Sequence, residues 1–333
     1  MRMSPMSEPA LSVQNLSVEF DSRRGSVLAI DDVSFEIAAG EVLGVVGESG
    51  AGKSVTGMAL AGLIDPPGRV IAGEVRLAGS RIDQMSGVQM RAIRGKKIGM
   101  IFQDPLTSLN PLFSVGDQLT ETIRTHLPMS AKDARARAIG LLEEVGIPAP
   151  DSRIDAFPHQ FSGGMRQRVV IALALCAEPD LIIADEPTTA LDVSVQAQII
   201  QVLKSLCDQR GTAIMLVTHD MGVIAQAADR IAVMYAGRMV EVGACRDLVK
   251  KAHHPYTRGL MGAIPSLASD VKRLVQVPGT MPRLTAIPKG CAFHPRCSEA
   301  FGMCHQAKPP LYAHEGAQVA CHLYSADQVE GSK

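Results

Sequence analysis

The segment from Gly47 to Ser54 has the residue types and the spacing of a phosphate-binding loop. It fits the pattern G-x-x-x-x-G-K-[ST], in which glycines let backbone N–H groups approach an anion closely. The apolar run Val42–Val46 precedes it and a helix-permissive segment follows, and a helix N-terminus favours negative charge. The pattern predicts that a nucleotide phosphate is bound by Gly47, Glu48, Ser49, Gly50, Ala51, Gly52, Lys53, Ser54 and Val55.

A second anion-binding pattern, Ser162-Gly163-Gly164, stands immediately before the apolar segment Met165–Leu175. That segment is predicted to be a helix, so the serine hydroxyl would cap it and the glycines would leave backbone amides bare. Many helices begin in this way, and the pattern alone does not assign a function.

Two carboxylates follow a third apolar run. Asp185 and Glu186 come directly after 181–184, which has the composition of a buried strand. Such a pair can bind a hard cation and accept a proton, and four preceding apolar residues argue against two solvated loop acids. Gln103 and His219 also follow predicted strands, at 98–102 and 213–217. Taken alone, each of these two residues is more often structural.

In this order the motifs resemble the nucleotide-binding subunit of ATP-binding-cassette transporters, from about residue 11 to residue 249. The resemblance implies that Lys53 contacts the β- and γ-phosphates of ATP. It also implies a magnesium ion held by Ser54, Gln103 and Asp185. A charged lysine, a hydroxyl and oxygen ligands suit phosphoryl transfer, in which the protein mainly positions groups and stabilises charge.

The resemblance further implies a catalytic set of Glu186, His219 and Gln103. Glu186 would act as general base for the attacking water. His219 would hydrogen-bond the γ-phosphate and hold Glu186 and the water in place. The amide of Gln103 would contact the metal and the water. Phe20 is the candidate for stacking on adenine, although a role in the strand core is an equal alternative.

The resemblance also implies that two ATPase subunits pair head to tail. The segment at 161–165, which corresponds to the family's signature, is then expected to bind the ATP of the second subunit. The residues implied in this contact are Ser162, Gly163, Gly164, Met165 and Gln167, together with Asp192 in a loop at the interface. Phe161 and Met165 depart from the commonest signature, Leu-Ser-Gly-Gly-Gln, but leave the backbone donors intact.

Composition limits the class of protein. The chain has 333 residues and a net charge of −1, so no basic footprint for nucleic acid is present. No apolar run approaches the roughly 20 residues that cross a bilayer, and residues 1–10 lack the apolar region of a secretory signal. A location on the cytoplasmic face of the membrane would therefore depend on partners.

Cys176 and Cys207 fall in apolar helical patterns and are expected in the core.

The pattern of elements predicts an α/β protein. A P-loop (RecA-like) core would carry an antiparallel β lobe and an inserted helical subdomain at about 105–165. Residues 8–250 would form this nucleotide-binding domain, and 251–333 a small, loop-rich C-terminal domain without an obvious core. Since the P-loop would lie in a separate core, serine in place of any one of the four cysteines of this tail is expected to loosen the tail but to spare nucleotide binding.

A narrower resemblance rests on four segments, namely 103–111, 254–260, Pro278-Gly279 and 290–297. They look like the ATPase subunits of dipeptide, oligopeptide and nickel uptake permeases. The resemblance implies that ATP hydrolysis powers uptake of peptides, with nickel or another solute as the alternative. It also implies two transmembrane permease subunits, a second related ATPase subunit and an extracytoplasmic solute-binding protein.

Other classes of protein stay open on sequence alone. A soluble cassette ATPase of translation or DNA repair commonly has two cassettes in one chain or a long coiled coil, and this chain has neither. A metal-sensing module is suggested by the cysteines of the tail, but it would not need the complete set of hydrolytic residues.

Four cysteines, at spacings of six, seven and seventeen residues, lie in the predicted C-terminal domain: Cys291, Cys297, Cys304 and Cys321. Four thiolates suit a 4Fe–4S cluster or tetrahedral zinc. The resemblance favours the cluster, since such sites occur in the tails of this family, with zinc second and four free thiols third. Histidines at 294, 305 and 322 also leave open a zinc site with mixed ligands.

Overall fold

The computed structural model describes residues 8–22, 25–189, 191–262 and 277–325. Residues 1–7, on which the expectation about a signal segment mostly rests, lie outside this range, as do 263–276 and 326–333 of the predicted C-terminal domain. The chain divides into two units, one of residues 1–11, 36–42 and 76–217, and one of residues 12–35, 43–75 and 218–333.

Strands and helices alternate along much of the chain. The strands are β1 (Leu11–Ser22), β2 (Gly25–Ile37), β3 (Val42–Val46), β4 (Gly68–Leu77), β5 (Ser80–Arg81), β6 (Ile98–Ile101), β7 (Leu181–Asp185), β8 (Ala213–Thr218), β9 (Arg230–Tyr235), β10 (Arg238–Ala244), β11 (Tyr312–His314) and β12 (Ala317–Val319). The helices are α1 (Lys53–Leu60), α2 (Gly87–Ile93), α3 (Pro105–Ser108), α4 (Val115–His126), α5 (Ala131–Glu144), α6 (Pro150–Arg153), α7 (Gly163–Leu175), α8 (Val193–Arg210), α9 (Met221–Ala227), α10 (Cys245–Lys250), α11 (Pro255–Gly262) and α12 (Gly302–Gln306).

The first unit contains parallel strands in the order β8-β7-β6. Every residue of β7 and β8 is buried, as expected for apolar parallel strands covered on both faces. The helices α3 to α6 lie in this unit between Pro105 and Arg153. Ser114 and Ser130 start α4 and α5 by accepting the backbone N–H groups of Asp117 and Asp133 at 3.1 and 3.2 Å.

The second unit contains an antiparallel lobe with strand order β2-β1-β4 and a mixed sheet with strand order β11-β12-β10-β9-β3. Strand β3 pairs in parallel with β9, and the other neighbours in the mixed sheet are antiparallel. Helix α1 follows β3 directly after the P-loop. The predicted α/β class, with an antiparallel lobe and helices inserted between strands, is therefore confirmed.

The C-terminal tail differs from the expectation of a segment without a core. Its hairpin β11–β12 joins the mixed sheet through the pairing of Val319 with Glu241. The buried rings of Tyr256 and Phe293 pack on Tyr235 of β9, with ring centroids 4.7 and 5.3 Å from it. The tail thus shares a core with the strands beside the P-loop, because its aromatic side chains are buried against residues distant in sequence.

Candidate functional site

The P-loop connects β3 to α1 in a conformation that depends on glycine. Gly47 has φ 156°, and a Cβ atom there would lie 2.3 Å from the carbonyl oxygen of Met234. Lys53 is 5% exposed, and its Nζ donates to the carbonyl oxygens of Gly47 and Glu48 at 2.8 and 3.1 Å. The ammonium group therefore lies against the loop itself, the position from which a lysine of this motif neutralises phosphate charge.

The turn between β9 and β10 and a threonine of α1 form hydrogen bonds with the backbone of the P-loop. The N–H of Gly237 donates to the carbonyl of Ala51 at 2.9 Å. Thr56 on α1 donates its hydroxyl to the carbonyl of Gly52 at 3.0 Å and lies 3.8 Å from the sulfur of Met234. These contacts fix the backbone on which the phosphate-binding amides are placed.

Two residues of the tail also hold the P-loop, and the sequence analysis assigned no role to either. The N–H of Glu48 donates to the hydroxyl of Tyr256 at 2.9 Å, and the carboxylate of Glu48 pairs with Arg296 at 3.0 Å. Both tail residues lie in segments quoted for the permease resemblance. Their position in those segments was the only signal that could have indicated them.

The acidic strand β7 brings two predicted catalytic residues together. Glu186 follows Asp185 with φ 48°, and its N–H donates to the carbonyl of Val217 at 2.8 Å. Its Oε2 accepts a hydrogen bond from Nε2 of Gln103 at 3.1 Å and another from the hydroxyl of Thr189 at 2.8 Å. The carboxylate is thus oriented by two donors. Neither hydrogen bond was predicted, since Gln103 was expected to contact the metal and the water and Thr189 was given no role.

The signature segment begins α7. The Ser162 hydroxyl accepts the N–H of Met165 at 3.3 Å, which makes Ser162 the N-cap as predicted. Gly164 packs closely on α8, since a Cβ there would lie 2.6 Å from Cγ1 of Val195. Gln167 is only 1% exposed, and its Nε2 finds no hydrogen-bond partner among the residues that the structure describes.

The remaining predicted residues lie at the ends or edges of elements. Asp192 caps α8 by accepting the Val195 N–H at 2.9 Å, and hydrogen bonds from Ser194 and this N–H lower the pKa of its carboxyl. His219 is exposed and follows β8, while Phe20 is half-buried in β1. Ser54 and Val55, in the first turn of α1, are half-buried.

The four tail cysteines form one electrostatic cluster: Cys321 interacts with Cys291, Cys297 and Cys304. The backbone N–H groups of Phe293, Glu299 and Leu323 lower the pKa values of Cys291, Cys297 and Cys321, respectively, and so oppose the effect of burial. Burial raises the pKa of Cys321 to about 12 and also raises the pKa values of Cys291 and Cys297. The four cysteines are not among the described side chains whose ligand atoms lie close enough together to hold a metal ion. Cys176 and Cys207 are buried, as predicted for core residues.

A second group of ligand-type side chains lies near the hairpin β11–β12. Ligand atoms of His253, His314 and Glu315 all lie within 4.8 Å of one another. Glu315 already forms an ion pair with Lys251 at 2.7 Å. This group is a possible location for adventitious metal when the metal content of the chain is measured.

The loop after β3 and the carboxylates after β7 define a P-loop nucleotide-binding protein of α/β type. The family model described as ABC transporter matches residues 30–189, and the one described as oligopeptide/dipeptide transporter, C-terminal region, matches residues 240–304. A solved structure of a dimeric ATP-binding cassette in a post-hydrolysis state, bound to ADP and Pi, is similar with a TM-score of 0.64 and 28% identity. That similarity covers 71% of this chain and 99% of the cassette.

Two curated relatives extend the similarity to nearly the whole chain. The dipeptide transport ATP-binding protein DppD of Bacillus subtilis (strain 168) is 48% identical, over 91% of this chain and 90% of the relative. The protein of the same name from Escherichia coli (strain K12) is 46% identical, over 94% of this chain and 96% of the relative. The chain therefore belongs to the ABC transporter family, among its dipeptide and oligopeptide transport ATP-binding proteins, and it is an ATP-binding ATPase.

Proposed function

We propose that this chain is the ATPase subunit that powers uptake of dipeptides or oligopeptides through a membrane permease. One observation carries the proposal: the likeness to dipeptide transport ATP-binding proteins extends through the tail as well as the ATPase motifs. Residues 8–250 would form the nucleotide-binding domain and 251–333 the C-terminal domain.

The chemistry follows from the groups already in place. Lys53 binds phosphate oxygens, and the backbone amides of the P-loop add further donors. Ser54, Gln103 and Asp185 would hold Mg²⁺, which supplies charge neutralisation when it is bound. The Glu186 carboxylate accepts a proton from the attacking water, and the hydrogen bond from Gln103 supports this role by fixing the orientation of that carboxylate. His219 contacts the γ-phosphate.

Hydrolysis requires a second ATPase subunit. The N-terminus of α7 offers Ser162 and the amides of Gly163 and Gly164 to the γ-phosphate bound by that partner. Met165, Gln167 and Asp192 belong to the same interface, and ATP shifts the pair toward its closed state because that state binds nucleotide more tightly.

The permease supplies the membrane location. In the described part of the chain no helix is long and apolar enough to cross a bilayer. Two transmembrane subunits would hold the ATPase pair at the cytoplasmic face, and an extracytoplasmic binding protein would deliver the solute.

The four-cysteine cluster is proposed to hold a 4Fe–4S cluster, with zinc as the alternative. The electrostatic interaction of Cys321 with the other three cysteines supports ligation by Cys291, Cys297, Cys304 and Cys321. When bound, the group would supply folding energy to the tail.

The function is tested with the assembled permease in proteoliposomes. Labelled dipeptide and tripeptide should accumulate when ATP is present on the side of this subunit, and Lys53→Ala should abolish accumulation. Lys250→Ala, at the exposed end of α10, is the control and should not change it. Uptake of nickel without uptake of peptide would contradict the proposed solute, and ATP hydrolysis without uptake of any solute would contradict the transport role.

A further inference from the structure

One buried guanidinium joins the P-loop to the cysteine-rich tail. The side chain of Arg296 is 7% exposed, and its Nη1 donates to both carboxylate oxygens of Glu48 at 3.0 and 3.1 Å. The same nitrogen lies 3.4 Å from the hydroxyl oxygen of Tyr235. Because a buried arginine is costly without a partner, this pair constrains both segments far more than a surface ion pair would.

The rest of the Arg296 side chain is fixed by backbone carbonyls of the tail. Nε donates to Pro278 at 2.7 Å, and Nη2 lies 3.4 Å from the carbonyl oxygen of Val277 and 3.3 Å from that of Gly279. The guanidinium also lies over the ring of Phe293 at 5.9 Å. A lysine could not satisfy so many acceptors from one position, since it lacks the planar fork.

The backbone of Arg296 lies between two of the clustered cysteines. The 3₁₀ turn His294–Arg296 separates Cys291 from Cys297. The N–H of His294 donates to the carbonyl of Cys291 at 3.1 Å, and that of Cys297 donates to the carbonyl of His294 at 3.2 Å. A change in the position of either cysteine therefore displaces the residue that holds Glu48.

Glu48 is a sensitive point of the P-loop. Its N–H is held by Tyr256, its carbonyl oxygen accepts from Lys53 at 3.1 Å, and the methyl group of Met281 lies beside Gly50. Without Arg296, the loop that receives a triphosphate would carry an unneutralised carboxylate. Like charges at short range in a partly buried site oppose binding.

We propose that Arg296 is a positioning residue through which the four-cysteine segment sets the affinity of the P-loop for nucleotide. It neutralises Glu48 and holds the loop in the conformation that accepts phosphate. This inference rests on the proposed nucleotide-binding function.

The test measures MgATP affinity of the purified full-length chain by isothermal titration calorimetry. Arg296→Ala should weaken binding about tenfold, which corresponds to about 1.4 kcal/mol. Arg258→Ala is the matched control, because Arg258 pairs with Glu299 on the same tail but both side chains are exposed, at 44% and 40%. This control should bind MgATP like the wild type.

Two further variants separate the effect of losing the Arg296 charge from the effect of a folding defect. Arg296→Ala combined with Glu48→Gln should recover most of the lost affinity, because the unneutralised carboxylate is gone. Arg296→Lys, which keeps the charge, should give an intermediate affinity, and it carries the test if the alanine variant does not fold by circular dichroism. Arg296 variants that fold and bind MgATP within twofold of the wild type would overturn the proposal, whereas a wild-type chain that does not bind MgATP would overturn the proposed function.

The coupling to the cysteines has its own test. Cys297→Ser should weaken MgATP binding in the wild-type background and have no further effect in the Arg296→Ala background, because both changes break one connection. Additive losses in the double variant would show that the cysteine segment acts on the P-loop by another route.

Discussion

At the scale of single residues, Glu186 is oriented before nucleotide arrives. Gln103 and Thr189 both donate to its Oε2, and its backbone is held at φ 48° by a hydrogen bond to Val217. A carboxylate that is already oriented needs little reorganisation during proton transfer. The position of Glu186 after β7 was predictable from sequence, while the hydrogen bonds that orient its carboxylate were not.

Replacement of the proposed general base tests that residue directly. Glu186→Gln should retain ATP binding and lower the hydrolysis rate by a factor on the order of 10² or more, the scale of a lost general base. The rate is measured in the complex with the partner ATPase and the membrane subunits, so that any second hydrolytic site is included. A wild-type rate in that complex would rule out Glu186 as the base.

The hydrogen bond from Thr189 to Glu186 can be tested apart from the chemistry of the carboxylate. Thr189→Val keeps the shape but removes the hydroxyl donor, and it should lower kcat about twofold to tenfold with KM unchanged, the range of one lost hydrogen bond. Thr125→Val is the control, because it removes an exposed hydroxyl that donates only to the carbonyl of Glu121 on α4. An equal change in kcat for the two variants would argue against a specific role for Thr189.

At the scale of elements, the starts of two helices carry residues of the proposed subunit interface. Helix α7 begins with a serine cap and two glycines, and α8 begins with the cap Asp192. Both caps satisfy backbone N–H groups that a helix end would otherwise leave without partners. The cap of α7, Ser162, is also the proposed contact with the second ATPase subunit. One residue would therefore serve both the helix start and the pairing of subunits.

A cap substitution separates these two roles. Ser162→Arg should leave nucleotide binding by the lone subunit nearly intact but prevent ATP-driven pairing, because a long cation replaces a small hydroxyl where amides must meet the γ-phosphate. Ser130→Arg removes an equivalent cap from α5 and should cost only about 1 kcal/mol of stability. Pairing is followed by light scattering. Equal loss of ATP affinity in the monomer would place the signature in the subunit's own pocket.

His254, just before α11, makes the stability of the folded chain depend on pH. Burial lowers the pKa of His254 to about 3, aided by Arg258, and its Nδ1 accepts the Tyr256 N–H at 3.1 Å. Unfolding raises this pKa to its ordinary value near 6.5, so between these values the unfolded chain binds more protons. The His254 contribution to stability is present above pH 6.5 and is lost as pH falls toward 3.

The contribution of His254 is measured as the slope of the free energy of unfolding against pH. The free energy of unfolding should fall as pH decreases below about 6.5, with His254 contributing at most about 1.4 kcal/mol per pH unit. His254→Asn keeps an acceptor for the Tyr256 N–H but does not titrate in this range, so its stability should depend less on pH. Denaturant unfolding at several pH values gives both slopes, and identical slopes would assign the pH dependence to other groups.

At the scale of the whole molecule, the tail and the P-loop belong to one unit. The tail extends the mixed sheet through β12, and Tyr256, Phe293 and Arg296 contact β9 or the P-loop. The tail therefore contacts the P-loop directly. The expectation that changes in its cysteines spare nucleotide binding does not agree with this arrangement.

The content of the cysteine cluster is measured on protein purified without oxygen. We expect brown protein with broad visible absorbance and roughly four iron atoms per chain, as four-cysteine ligation of a cubane implies. Cys304→Ser should lower the iron content, whereas His253→Ala should not, because it belongs to the separate group with His314 and Glu315. A colourless protein with one zinc ion, which is lost in Cys304→Ser, would show that the same cysteines bind zinc and not an iron–sulfur cluster. Metal-free protein with an ordered tail would exclude both.

The sequence by itself determined the elements that carry chemistry. The P-loop after β3, the acids after β7, the cap of α7 and the α/β class follow from local patterns, since apolar runs, glycines and capping residues act within a few positions along the chain. The tertiary structure alone decided which distant residues meet. Arg296 and Glu48 are separated by 248 positions, and no periodicity encodes their pairing. Only packing of the tail's aromatic rings on β9 brings the guanidinium to the P-loop, because burial in a shared core depends on contacts that local sequence does not specify.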